Sequence, residues 1–207
     1  LQHCLVANAA VNSVLQALSG MLLSAPDLQG LREIEIDADS NNQLGLCFYF
    51  AAAPGQKVLS ALRAALLAGP VIALRVRLIA RRKARSAADF EEPGGADSAQ
   101  SHELHAEGEL CLKLEVPVAL DGIALRPLEL SYLPGDFTQT HLAVNAALLA
   151  WALDWLRPRN GEVALDLFAG IGNFSLPLAL YTKSVLALEG DSAMVERILA
   201  NAGRNGA

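Results

Sequence analysis

The residues best suited to chemistry lie in one run, Asp-Leu-Phe-Ala-Gly-Ile-Gly-Asn-Phe-Ser, from Asp166 to Ser175, and Glu189 follows it. Gly170 and Gly172 let the backbone turn tightly and approach a ligand closely. A helix that begins at such a turn directs its unpaired N–H groups and its positive end at the ligand. An acidic residue about 20 residues further on can accept hydrogen bonds from ribose hydroxyls. The pattern therefore indicates a site for a nucleoside-containing cofactor.

Two features of this run leave alternatives open. A dinucleotide fingerprint has a third glycine where this chain has Ser175, and a tight strand-to-helix turn without a ligand is the competing interpretation. The preceding strand, the following helix and the placement of Glu189 favour a ligand site. Asn173 is compatible with a ligand contact or with a helix N-cap, and Asp166 is predicted to be structural.

The elements that must position this turn alternate between helix and strand from Asp136 onward, which is typical of a parallel doubly wound sheet. Trp151 and Trp155 are predicted to lie in its core. His141 is predicted to start a helix and to have no catalytic role. The predicted elements are a helix over 141–156, a buried strand over 162–168, a helix to about 181, a strand over 184–189 and a helix over 192–205.

The preceding residues favour an α+β unit with mainly antiparallel pairing. Helical spacing of apolar residues alternates there with strand-like runs, and residues 86–103 are predicted to form an exposed loop. The predicted elements are a helix from about 11 to 25, a hairpin turning through 39–42, a helix over 56–67, and strands over 71–80, 109–116 and 123–133.

Half of the sixteen basic residues lie between Asp39 and Asp89, a stretch without any acidic residue. A solvated face is the usual explanation of such a run, and a surface that contacts phosphates is the functional one. Arg75 and Arg77 alternate on one face of a predicted strand, as the period of two requires. The eight residues are Lys57, Arg63, Arg75, Arg77, Arg81, Arg82, Lys83 and Arg85.

The amino-acid composition excludes several classes of protein. The chain has 207 residues, a net charge of −6 and an apolar fraction of 53%, which excludes a disordered, collagen-like or disulfide-framework protein. No run is apolar enough for a membrane span, and no secretory signal is visible. Three widely spaced cysteines fit a reduced compartment, so a cytoplasmic protein is expected. The sequence indicates no protein partner and no membrane, and we expect a monomer.

Several motifs together resemble the RNA (uracil-5-)-methyltransferases, especially the 23S rRNA branch. They are Pro134-Gly-Asp-Phe-Thr-Gln139, Asn145, the run from Asp166 to Pro177, and Glu189-Gly190. The resemblance covers roughly residues 120–207. It implies that S-adenosyl-L-methionine is the cofactor and that rRNA is the partner. The residues it assigns to the cofactor are Gln139, Phe168, Asn173 and Glu189, with Gly170 and Gly172 shaping the loop.

A weaker similarity concerns the first residues. Leu1-Gln-His3 resembles the segment that follows a Cys-x-x-Cys pair in the iron–sulfur members of this family. A 4Fe–4S cluster is therefore possible in the full-length protein, with three cysteines upstream of Leu1. Cys47 is a candidate fourth ligand, although it lies in an apolar strand and a buried structural cysteine is the competing interpretation.

The resemblance also implies a mechanism in which a cysteine thiolate adds to C6 of uracil, C5 takes the methyl group and a base removes the C5 proton. The nucleophile and the base are expected beyond Ala207, so this chain is predicted to be an internal fragment that is inactive on its own. Two alternatives remain: a non-catalytic RNA-binding or cofactor-binding remnant, and a related methyltransferase that acts on a non-RNA substrate.

The predicted fold is thus α/β. An α+β central domain over residues 1–136 is expected to contact RNA. Residues 137–207 are expected to form the first part of a Rossmann-like, class I methyltransferase domain.

Overall fold

A computed structural model describes residues 7, 9–24, 28, 30–66, 71–79, 101–116, 127–139 and 141–207. These residues form two compact units. The first unit comprises Leu1–Ala38, Asn42–Leu110 and Leu133–Gly135, and the second comprises Asp39–Asn41, Cys111–Tyr132 and Asp136–Ala207. The division into functional domains at residues 136 and 137 stays a prediction.

The first unit contains a four-stranded sheet in the order β1-β2-β3-β4. The pairs β1/β2 and β3/β4 are antiparallel, whereas β2 and β3 are parallel and are joined through α2. The sheet is therefore mixed, because a helical crossover between two strands returns the chain in the same direction. Its elements are α1 (Ala9–Ser24), β1 (Leu31–Ala38), β2 (Leu44–Phe50), α2 (Gln56–Leu66), β3 (Val71–Ile79) and β4 (Ser101–Glu107).

The core of the first unit lies between one face of this sheet and the two helices. Alternate residues of β2 and β3, such as Phe48 and Val76, are fully buried there. Val14 and Leu18 of α1 and Leu62 of α2 complete the same cluster. Burial of a side chain such as Phe48 contributes about 1.5–3 kcal/mol, so this face specifies the register of the sheet.

The described residues of the second unit form two small sheets and three helices. β5 pairs with β6, and β7 pairs with β8 in parallel. Asp191 caps α5 by accepting from the Ala193 N–H at 2.8 Å, and His141 caps α3 through Nδ1, as expected of a helix-start residue. The elements are β5 (Leu110–Leu114), β6 (Leu128–Tyr132), α3 (Leu142–Leu156), β7 (Val163–Leu167), α4 (Ser175–Ala179), β8 (Ser184–Leu188) and α5 (Ser192–Asn205).

Three sequence predictions about elements are wrong. Residues 101–103 begin strand β4 rather than a loop, since their polar side chains lie on an edge strand paired with β3; residues 86–100 lie outside the described part. Trp151 and Trp155 are 63% and 77% exposed and stack on each other, with ring centroids 5.9 Å apart. Strand β7 is not buried, because β8 is its one neighbour among the described strands.

No helix in the described ranges has both the length and the apolar character needed to cross a membrane.

Candidate functional site

The glycine-rich turn leaves the carboxyl end of β7 with an unusual backbone. Phe168 and Gly170 have φ angles of +62° and +55°, and the Ala169 N–H donates to the Leu188 carbonyl at 3.0 Å. A side chain at Gly170 would meet no atom within 4 Å, so this glycine faces open space. A Cβ at Gly172 would lie 3.0 Å from Ile198 Cγ1, so that glycine permits close packing against α5.

Glu189 joins this turn to the end of β8. Its Oε2 accepts from the Gly170 N–H at 2.9 Å, and its Oε1 accepts from the Gly190 and Asp191 N–H groups at 2.7 and 3.0 Å. A carboxylate oxygen can accept two hydrogen bonds, so Oε2 retains capacity for a further donor. The residue that the sequence assigned to a ribose is thus held against the glycine turn.

A pocket of about 100 Å³ opens beside the turn. Four of the six predicted cofactor residues line it: Gln139, Phe168, Gly170 and Asn173. The other two do not line the described pocket: Glu189 bonds to the lining residue Gly170, and Gly172 packs on α5. The remaining lining residues are Leu112, Phe137, Thr138, Asp166, Ala169, Ile171 and Phe174.

The pocket combines aromatic surface with a few polar groups. Phe137 and Phe168 are 77% and 89% exposed, which is unusual for phenylalanine and leaves ring faces available for stacking. Gln139 and Asn173 add amide groups that both donate and accept. Such a lining suits a flat ligand that has apolar faces and polar edges.

A hydrogen bond between the side chains of Asp166 and Ser175 joins the two ends of the turn. The Ser175 hydroxyl donates to Asp166 Oδ2 at 2.5 Å, and Ser175 is buried. The serine at the third fingerprint position therefore has a structural partner. The helix that follows is α4, whose five residues make it much shorter than the helix predicted to about residue 181. The expected contribution of a helix dipole to ligand binding is correspondingly weak, because the dipole grows with aligned peptides.

Asn173 does not cap α4, whose N-cap residue is Phe174 without any side-chain hydrogen bond. Its amide pairs instead with the amide of Asn145 on α3. Asn145 Nδ2 donates to Asn173 Oδ1 at 2.7 Å, and Asn173 Nδ2 donates back to Asn145 Oδ1 at 3.0 Å. The N-cap interpretation of Asn173 is therefore wrong.

Helix α5 supports the turn through polar residues to which the sequence gave no role. Asn201 is fully buried, donates to the Ile171 carbonyl at 3.0 Å and accepts from the Ser131 N–H at 2.8 Å. Arg197 forms an ion pair at 3.4 Å with buried Asp136, which directly precedes the Phe137 to Gln139 segment. Asparagine on the apolar side of an amphipathic helix is the signal that could have revealed Asn201.

Arg75, one of the residues of the proposed phosphate-contacting surface, is buried. Arg75 is 4% exposed, and its guanidinium donates to Glu103 Oε2 at 2.8 Å and to the Pro134 carbonyl at 3.3 Å. Arg77 lies over the Tyr49 ring, 5.9 Å from its centroid. Arg75 is therefore a structural cation of the first unit, and residues 81–85 lie outside the described part.

The cysteines of the described part are not arranged as metal ligands. Cys47 is fully buried, and burial raises the pKa of its thiol to about 11. Burial also raises the pKa of Cys111, with Glu129 and Asp39 acting in the same direction. No group of three or more potential ligands occurs among the residues described, and Cys4 falls outside them. The burial of Cys47 and its raised thiol pKa agree with the structural interpretation of this cysteine, and the cluster proposed for the full-length protein stays a prediction.

Solved structures show which class this fold belongs to. The whole chain aligns with 47% of the Pyrococcus abyssi tRNA (uracil-54, C5)-methyltransferase, solved in complex with S-adenosyl-L-homocysteine, with a TM-score of 0.64 at 13% identity. The fold, with a glycine turn and an acidic residue at the ends of adjacent parallel strands, is Rossmann-like.

Sequence comparison shows which family residues 113–207 resemble. Residues 113–207 match the tRNA (uracil-5-)-methyltransferase family, and the resemblance seen in the motifs is confirmed over this range. The 23S rRNA (uracil(1939)-C(5))-methyltransferase RlmD of Pseudomonas putida is 52% identical over 91 residues, 43% of this chain and 20% of that protein. The Pseudomonas syringae RlmD is 47% identical over 104 residues, 49% of this chain and 23% of the relative. The matches thus span about a fifth of the relatives' length.

Proposed function

We propose that this chain is the cofactor-binding part of an S-adenosyl-L-methionine-dependent enzyme that methylates C5 of a uridine in 23S-type rRNA. The observation that carries the proposal is the link between Gly170 and Glu189 beside the pocket. The family match over residues 113–207 and the names of the RlmD relatives support the reaction and the RNA. We further propose that the protein acts as a cytoplasmic monomer.

The chemistry of the pocket lining supports the proposed cofactor. Phe168 is available to stack on an adenine ring, and Gly170 leaves the space beside it open. Glu189 Oε2 can accept from a ribose hydroxyl, while Gln139 and Asn173 can bond to the polar groups of the ligand. When bound, the cofactor supplies an electrophilic methyl group.

We propose that this chain binds the cofactor without completing the reaction. An attacking cysteine needs a lowered thiol pKa, and both described cysteines have a raised one. Leu112 lines the pocket, and its strand neighbour Cys111 lies on the opposite face of β5 because side chains alternate. The described residues therefore place no activated thiol at this pocket.

Calorimetric titration with S-adenosyl-L-homocysteine tests the cofactor proposal. We expect binding to the unaltered chain and a loss of about tenfold or more with Glu189→Gln, which removes a charged acceptor worth about 1.5–3 kcal/mol. Glu196→Gln on the exposed side of α5 is the matched control and should bind normally. Absence of binding, or equal affinity in both variants, would overturn the proposal.

Transfer of a labelled methyl group to a 23S rRNA transcript tests the proposed reaction and the proposal that this chain does not complete it. The chain alone should give no labelled uridine, and a longer protein that contains it should label one at C5. Transfer to C5 by the chain alone would contradict the proposal that this chain binds the cofactor without completing the reaction. Label on a protein or a small molecule instead would favour a related methyltransferase with a non-RNA substrate.

A further inference from the structure

The amide pair between Asn145 and Asn173 is unlike the other buried asparagine contacts of the second unit. Asn201 and Asn205 bond mainly to backbone groups of β6, which secures the position of a strand; one further bond comes from the Ser131 hydroxyl, which donates to Asn201 Oδ1 at 3.2 Å. Asn145 is 2% exposed, yet both hydrogen bonds of the pair join one side chain to another. Side chain to side chain bonds form a small share of protein hydrogen bonds, and they orient a group.

The pair couples the Asn173 amide to the Asn145 amide and holds the two in a common plane. Exchanging the oxygen and nitrogen of one residue alone would place oxygen against oxygen and nitrogen against nitrogen, so neither amide can turn over without the other. Each amide offers two N–H donors, and its oxygen accepts two bonds. The pair uses one N–H and one acceptor site of Asn173. One N–H and one acceptor site remain for a ligand in the pocket that Asn173 lines.

Asn145 also connects the two segments that line the pocket. It lies in the first turn of α3, where its backbone N–H donates to the His141 carbonyl at 2.9 Å. Gln139 lies just before this helix, whereas Asn173 belongs to the glycine turn. The pair therefore ties the glutamine segment to the glycine turn through a buried side chain.

We propose that Asn145 is a positioning residue for cofactor binding. It holds the Asn173 amide in place at the pocket and ties Asn173 to the helix that follows Gln139. This inference rests on the proposed function and extends it to a residue that lines no part of the pocket. Asn145 acts through Asn173 and does not itself touch the ligand.

Asn145→Leu removes the pairing and keeps a similar side-chain volume. In the full chain it should weaken binding of S-adenosyl-L-homocysteine by about two- to tenfold, the value of one hydrogen bond of 0.5–1.5 kcal/mol. Asn205→Leu is the matched control, since it also removes a buried amide of the second unit. It should lower thermal stability and leave the affinity unchanged.

A double-mutant cycle separates positioning from general loss of stability. In the Asn173→Ala background, Asn145→Leu should change the affinity by less than about twofold, because the group it orients is already absent. An equal loss in both backgrounds would overturn the proposal. An unchanged affinity of Asn145→Leu in the unaltered background would overturn it as well.

A measurement without ligand distinguishes this proposal from the cofactor proposal. The side-chain amide signals of Asn173 in a ¹H–¹⁵N spectrum should move in Asn145→Leu and stay in Asn205→Leu. If they do not move in Asn145→Leu, the positioning proposal is wrong whatever the chain binds. If they move but the unaltered chain binds no S-adenosyl-L-homocysteine, the cofactor proposal fails, and with it the ligand role of the pair.

Discussion

The two units differ in how far their sheets are covered by the described residues. In the first unit, Leu46 and Phe48 of the central strand β2 are fully buried. In the second unit, Leu165 of β7 and Leu186 of β8 are 57% and 56% exposed. A parallel sheet is normally covered on both faces. The glycine turn of the second unit is held by local polar contacts, such as the bond from the Gly170 N–H to Glu189, although the described part of its sheet is largely exposed.

Two alanine substitutions test this difference, and the larger of their effects on stability is the largest that we expect. Phe48→Ala should lower the free energy of unfolding of the first unit by about 3–5 kcal/mol, because it leaves a cavity in a closed core. Leu165→Ala should cost less than about 0.5 kcal/mol, because the side chain is mostly in solvent. Urea denaturation followed by circular dichroism measures both. Similar costs for the two variants would contradict the contrast between the units.

Substitutions of two arginines of the first unit are expected to have an intermediate effect on the free energy of unfolding. Arg75→Met should destabilise the unit by about 2 kcal/mol, since it removes charge-assisted hydrogen bonds from a buried position. The salt dependence of the proposed RNA binding should be the same for Arg75→Met and the unaltered chain, because Arg75 is buried and bonds to Glu103. Arg63→Met removes an exposed pair with Glu107 and is the control, with a much smaller effect on stability. A flatter salt slope in Arg75→Met would restore its phosphate role.

The smallest expected effect is the titration of Cys47. Its pKa is raised by burial from 9.0 to about 11, so the folded state retains a proton that the unfolded state has lost between these values. Stability from this group is complete below about pH 9 and is lost as the pH rises through 11. Between pH 9 and 11, the free energy of unfolding should therefore fall by about 1–2 kcal/mol less in Cys47→Ala than in the unaltered chain. An identical pH slope in the variant would show that the thiol is solvated.

Much of the fold could be predicted because local signals agree with it. The hairpin between β1 and β2 follows from alternation on both sides of a turn in which Asn42 has a φ of +59°. The helix α5 ends at Gly206, a C-cap in the left-handed region. Strand β4 was missed because its residues are mostly polar, so its strand conformation depends on pairing with β3, which periodicity does not reveal.

The sequence predicted which residues the structure brings together at the glycine turn, but not the contacts that support them; their role in binding stays a prediction. The motif identified Gly170, Asn173 and Glu189 from spacing and from resemblance. The roles of Asn145 and Arg197 depend on contacts between residues distant in the sequence, which a single sequence does not display. Arg75 was placed on the correct strand face, yet its partner Glu103 lies on β4, the strand that the sequence did not predict.

Mapping of ligand binding on an assigned ¹H–¹⁵N spectrum tests the central claim most directly. Addition of S-adenosyl-L-homocysteine should move the backbone signals of Gly170, Gly190 and Asp191, whose N–H groups donate to Glu189, and the side-chain signals of Gln139 and Asn173. The signals of β2 in the first unit should stay in place. A spectrum that does not change at saturating ligand, or that changes only in the first unit, would contradict the account.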